Sequence, residues 1–139
     1  MFRPEQMGVY IHWPFCESRC PYCDFNAHVR EELDQKQWAE AYVQSLKHYA
    51  EIIPDKQIVS IFFGGGTPSL MEPETVATII DAVQSLWRVA NDIEITLEAN
   101  PTSVENDKLL AFRDAGINRV SLGVQALNDE DLKFFGRAV

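Results

Sequence analysis

Basic residues are scarce in this chain. Twelve lysines and arginines stand against 21 aspartates and glutamates, a net charge of −9. A general nucleic-acid surface or an anionic-membrane surface needs a basic face, so neither class of partner is expected. Long apolar runs are lacking too, and none approaches the ~20 residues of a membrane span. The opening stretch, MFRPEQMGVY, has no apolar core of the kind a signal peptide carries. The expected compartment is therefore the cytoplasm. Cysteine is limited to three residues, an odd number, and structural disulfides are not expected in that setting. Linkers, low-complexity tracts and repeats are missing as well. What remains is 139 residues, 46% hydrophobic and 24% charged, enough for one globular domain with a moderate core.

Alternating strand and helix patterns run along the chain. GVYIHW (8–13) reads as a first strand, and Pro14 and Pro21 make the segment after it a loop. A helix is expected from about Asp34 to Ile53, with Trp38, Tyr42, Leu46, Tyr49 and Ile53 on one face. QIVSIFF (57–63) is a near-continuous apolar run, as in a buried parallel strand. GGGTPS follows as a turn, and Pro73 suits the first position of a second helix striped by Val76, Ile79, Ile80, Val83 and Trp87. DIEITLEAN (92–100) reads as the third strand. Thr102 and Glu105 have capping-box spacing for a third helix, which carries Leu109, Leu110 and Phe112 and stops at Gly116. NRVSLGVQ (118–125) reads as a fourth strand, and Asn128 as the cap of a fourth helix through Asp131 to Phe135. Helices between hydrophobic strands imply βαβ units and a parallel sheet, an α/β fold.

The chemically suggestive residues gather at the ends of these strands. The cysteines follow the first and the glycines the second, while Glu98 ends the third and Gln125 the fourth. Parallel α/β sheets and βα barrels place their sites at such ends.

All three cysteines lie in CESRCPYC, at 16, 20 and 23. Thiolates hold soft metals and iron–sulfur clusters. Three ligands leave one coordination position open for an outside molecule, which suggests a [4Fe–4S] cluster with one free iron. A Cys3His zinc site completed by His28, or three cysteines buried as small hydrophobes, remain as alternatives. His12, His28 and His48 otherwise read as structural. GGGTP lacks both the G-x-G-x-x-G order of a dinucleotide site and the lysine of a P-loop.

CESRCPYC resembles the CxxxCxφC motif of radical S-adenosylmethionine (SAM) enzymes, with Tyr22 at the aromatic position. The wider stretch YIHWPFCESRCPYCDFN resembles the oxygen-independent coproporphyrinogen III oxidase family. The resemblance continues through IFFGGGTPSL, EITLEANP and GINRVSLGVQALNDEDLKFFGR, nearly the whole chain. It implies that Cys16, Cys20 and Cys23 hold a [4Fe–4S] cluster. The amino and carboxylate groups of SAM would chelate the open iron, and an electron from the cluster would cleave the sulfonium. By the same resemblance Tyr10, Tyr22, Gly65, Gly66, Thr67, Glu98, Gln125 and Arg137 are SAM-contact positions.

The oxidases of this family usually carry a further cysteine two residues after the third ligand. Here that position is Phe25, in CDFN, a form similar to the family's haem-chaperone branch. That branch implies haem as a further ligand and haem-acceptor proteins as partners. The runner-up is radical decarboxylation of porphyrinogen propionates. A zinc- or cluster-stabilised module without catalysis is a third reading. The expected fold is a partial (β/α) barrel of about four βα units with a parallel sheet. Full eight-unit barrels take about 250 residues. Residues 1–139 are thus expected to be the N-terminal part of a radical SAM core domain, with the remaining barrel units and a C-terminal domain missing and little activity in isolation.

Overall fold

A computed structural model describes residues 4–18, 20–23, 27–29 and 32–137. Phe25, the position separating the two branches, lies outside the described residues. Four parallel strands form the main sheet: β1 (Glu5–Trp13), β4 (Lys56–Gly65), β5 (Arg88–Ala99) and β6 (Arg119–Leu122), side by side in that order. Two residues of β2 (Phe15–Cys16) pair in parallel with two of β3 (His28–Val29) in a small separate ladder. Helices α1 (Gln35–Ile52), α2 (Pro73–Leu86) and α3 (Asn106–Ala115) connect successive strands of the main sheet, and α4 (Asp129–Phe134) follows β6. This is the expected parallel α/β architecture.

One face of the sheet is buried against the helices. Ile11 and Trp13 of β1, Ile61 and Phe63 of β4, and Ile95 and Leu97 of β5 share a core with Leu46, Val76, Ile79, Val83 and Phe112. Alternation along each strand turns Tyr10, His12, Phe62, Thr96 and Glu98 to the other face. Ile58 is three residues from Ile61, a spacing that would place it on the opposite face of a regular strand. The register shifts between Ile58 and Ser60, and both isoleucines are fully buried.

Local signals explain most element ends. The Asp34 side chain accepts from the Gln37 N–H and starts α1. Pro73 opens α2. Gly116, with φ of +120°, ends α3 in the left-handed region. Asn128 caps α4 by accepting from the Asp131 N–H at 2.9 Å.

Several details differ from the sequence reading, and two have a local cause. The capping box does not join Thr102 to Glu105; it joins Asn100 to Ser103 around a 3-10 turn, Pro101–Ser103, and Glu105 caps α3 without a side-chain bond. Pro101 fixes the φ of that turn, and Ser103 supplies a hydroxyl short enough to bond back to the cap. Tyr49, expected on the covered stripe of α1, is 56% exposed. The fourth strand stops at Leu122, since the Gly123 N–H closes on the Ala99 carbonyl at 2.9 Å and the chain then leaves the ladder.

Candidate functional site

A cleft of about 480 Å³ opens at the C-terminal ends of the four main strands. Ligand sites for small molecules commonly enclose about 300–1,000 Å³. Cys16, Cys20, Cys23 and Tyr22 line one wall. Gly65, Gly66 and Thr67 line a second, Glu98 lies at the end of β5, and Gln125 and Arg137 come from the segments after β6. Ten of the eleven candidate residues therefore meet around one space. Tyr10 is the exception. It lies on the open face of the sheet, stacked on Phe62 at 6.1 Å with its hydroxyl 3.4 Å from His12 Nδ1. The Glu98 charge still reaches it: burial first, then Glu98, raises the Tyr10 pKa.

The glycine turn is forced by close backbone contact. The Gly66 N–H donates to the Trp13 carbonyl at 2.6 Å, and the Thr67 N–H donates to the Phe15 carbonyl at 2.7 Å. A Cβ on Gly66 would lie 2.4 Å from the Phe15 oxygen, so only glycine lets the turn pass under the start of the cysteine loop. Gly65 has φ of +110°, and its N–H donates to Glu98 Oε2 at 3.3 Å. Burial raises the Glu98 pKa, and the Gly65 N–H opposes that by stabilising the carboxylate. A carboxylate so placed suits a ligand with hydroxyl or ammonium donors.

The cysteine loop is clasped from the far end of the chain. Arg137 Nε donates to the Tyr22 hydroxyl at 2.9 Å, and its guanidinium lies 5.9 Å from the Tyr22 ring centre. Phe135 packs edge-on against Tyr22 at 5.6 Å. The three thiols are half-buried and unbridged. Burial pushes the Cys16 thiol up, while its hydrogen bond with the Thr67 side chain pulls it down. Gln125 holds φ of +66°, a conformation uncommon outside glycine, at the cleft rim.

The donor set fits an iron–sulfur cluster. Its three thiols are soft, come from one loop and face one cleft, and a cubane takes each thiolate on a different iron.

A family model for the radical SAM superfamily matches residues 10–139. The chain belongs to the radical SAM superfamily. Among curated proteins, this radical SAM chain is 41% identical over 133 residues to bovine radical S-adenosyl methionine domain-containing protein 1, mitochondrial, covering 96% of the chain and 30% of the bovine protein. It is 38% identical over 138 residues to heme chaperone HemW of Escherichia coli, covering 99% of the chain and 36% of that protein. Among solved structures, coproporphyrinogen III oxidase (HemN) of Escherichia coli superimposes with a TM-score of 0.86 at 28% identity, over 98% of the chain and 31% of the oxidase. The radical SAM chain thus spans about a third of the length of these relatives.

Among the lining residues that the sequence reading did not place in a ligand cleft, Asn100 and His28 carry polar side chains. Asn100 follows Glu98 in EANP, where a polar side chain beyond a strand end was the available signal. His28 reads from the sequence as a zinc ligand or a structural residue. No helix among the described residues is long and apolar enough to cross a membrane.

Proposed function

We propose that this chain is the cluster- and SAM-binding part of a haem chaperone of the radical SAM superfamily. The observation that supports the reading is the meeting of three thiols, a glycine turn, a carboxylate, an amide and a guanidinium at one set of strand ends. Cys16, Cys20 and Cys23 would hold a [4Fe–4S] cluster. Bound there, the cluster supplies an electron for cleavage of SAM. The protein's own residues bind and orient. The Gly65–Thr67 turn permits close backbone approach, and Glu98 accepts hydrogen bonds from donors on the ligand. Arg137 can exchange its Tyr22 partner for a ligand carboxylate. Gln125 offers both a donor and an acceptor at the rim.

Haem enters as ligand through the HemW likeness, 38% identity over 138 residues. Haem-acceptor proteins are the corresponding partners. Residues 1–139 then correspond to the N-terminal part of the radical SAM core domain. The oxidase reading is kept because the HemN structure superimposes over 98% of the chain. A cytoplasmic location is the reading kept from the sequence, while the bovine relative's name carries the word mitochondrial.

Anaerobic reconstitution with iron and sulfide, followed by metal and sulfide assay and electron paramagnetic resonance with and without SAM, tests the cofactor reading. About four irons per chain and a spectrum altered by SAM are expected. Zinc uptake without iron would replace it with the structural-module reading. Titration with haemin and assay of coproporphyrinogen turnover, on a form extended to the full length of the relatives, then separate chaperone from oxidase: haem binding without turnover is expected, and turnover would reverse the assignment.

A further inference from the structure

Helix α4 ends in a turn that sends its last side chains to the cysteine loop. The Gly136 N–H donates to the Lys133 carbonyl at 3.0 Å, and the Arg137 N–H donates to the Leu132 carbonyl at 2.8 Å. These two bonds, with φ of +69° at Gly136, make a Schellman turn. The turn lies against the loop. A Cβ on Gly136 would stand 3.0 Å from Pro21 Cδ, short of the ~3.5 Å of ordinary carbon–carbon contact. Phe135 before the glycine and Arg137 after it then both meet Tyr22. The Phe135 ring stands at 86° to the Tyr22 ring with centres 5.6 Å apart, an edge-to-face pair. Arg137 Nε donates to the Tyr22 hydroxyl. Pro21 and Tyr22 are the two residues inside the Cys20–Cys23 turn, which the Cys23 N–H closes on the Cys20 carbonyl at 3.1 Å.

The two holds on this turn differ in kind. Arg137 lines the cleft, so a ligand carboxylate can take over its bond to Tyr22. The ring pair and the glycine against Pro21 are apolar contacts, and a carboxylate has no claim on either. We propose that Phe135 is a positioning residue for the Cys20–Cys23 turn, seated by the Schellman turn at Gly136, and that it keeps these two thiols in place when Arg137 turns to the ligand. The inference rests on the cluster reading above. A cluster held by those thiols is retained longer because the turn between two of its three ligands opens less often.

The test is the rate of iron release from the reconstituted chain to an excess of a ferrous-iron chelator, without oxygen, with and without SAM. The worth of an edge-to-face pair corresponds to about 2–12-fold in a rate. Phe135→Leu keeps an apolar side chain without the ring and is expected to speed release by that factor. Phe135→Tyr keeps the ring and the wild-type rate. The acceleration should be at least as large with SAM bound, because Arg137 then no longer shares the hold. In a Tyr22→Leu background, which has no ring to receive it, Phe135→Leu should add nothing. Gly136→Ala, strained at positive φ and pressed on Pro21, should speed release in the same direction, and it decides if Phe135→Leu does not fold. Unchanged release in these variants would overturn the positioning role. So would an equal acceleration in the Tyr22→Leu background, or one that shrinks when SAM binds. A wild-type chain that takes up no iron would sink the cluster reading itself, whereas normal loading with unmoved release rates would sink only the role of Phe135.

Discussion

Gly66 illustrates how one side chain, or its absence, sets the site. Its N–H and that of Thr67 bond to carbonyls at the start of the cysteine loop, and a methyl group there would meet the Phe15 oxygen at 2.4 Å. Backbone cannot yield as a flexible side chain can. Gly66→Ala is expected to cost about 1–3 kcal/mol of stability, the range for forced overpacking, and to displace the loop that carries Cys16. Urea unfolding checks this, and a change under about 0.5 kcal/mol would mean that the turn relaxes freely. Glu98 tests the cleft from the other side. Glu98→Ala removes a half-buried carboxylate that only the Gly65 N–H engages among the recorded hydrogen bonds. SAM affinity should fall while iron content stays at the wild-type level. Calorimetry on the reconstituted chain reads the first and metal assay the second; unchanged affinity would remove Glu98 from the ligand site.

At the scale of elements, helix α1 both covers β1 and satisfies it. The Tyr42 hydroxyl, on the buried side of α1, donates to the His12 carbonyl of β1. Burial pushes the Tyr42 pKa up to about 12. Unfolded tyrosine releases its proton near pH 10. The folded chain therefore favours the neutral phenol. That preference is fully present below about pH 10 and is lost as pH rises through about 12. Tyr42→Phe should cost about 1 kcal/mol at neutral pH through the lost hydrogen bond. It should also flatten the fall in stability between about pH 10 and 12. Tyr10 and Tyr22 are raised as well, so the informative quantity is the difference between wild type and variant across that window. Parallel pH curves would show that Tyr42 titrates normally in the fold.

Legibility in the sequence also differs by element. The α1 bounds, the Pro73 start and the Gly116 stop were readable because each is written in a residue with its own backbone preference. The first four residues of β5, RVAN, were not, since their sides alternate too weakly to announce a strand, and only pairing with Gln57 and Ile58 extends it back to Arg88. The β2–β3 ladder, two residues on each side, is invisible to periodicity. In the cleft, the cysteines and the GGGTP turn stood out by type and spacing. Asn100 did not, because its place beside that turn comes from a bond to Thr67 across 33 positions. Tyr10 shows the reverse: resemblance singled it out, yet the geometry sets it on the sheet face beside the cleft and not in its wall.

For the molecule as a whole, the outer strand of the sheet carries the core's apolar pattern into solvent. β6 pairs with β5 and stands last in the sheet. Val120 lies opposite Leu97 and Leu122 opposite Ala99, so both continue the rank of side chains that is buried in β4 and β5. One strand further out, Val120 is 40% and Leu122 48% exposed, and Phe134 of α4 is 81% exposed. An apolar strand with an unpaired backbone edge is a template for another chain. The 139-residue polypeptide is therefore expected to self-associate as its concentration rises, despite its net charge of −9. Leu122→Lys places a solvated charge on that edge, the device that natural sheets use against edge pairing. It should shift sedimentation profiles toward monomer while changing stability by no more than about 0.5 kcal/mol, as for other substitutions away from packed contacts. Association that persists unchanged in Leu122→Lys would move the contact to another surface, and a large loss of stability would show that Leu122 is already covered in the monomer.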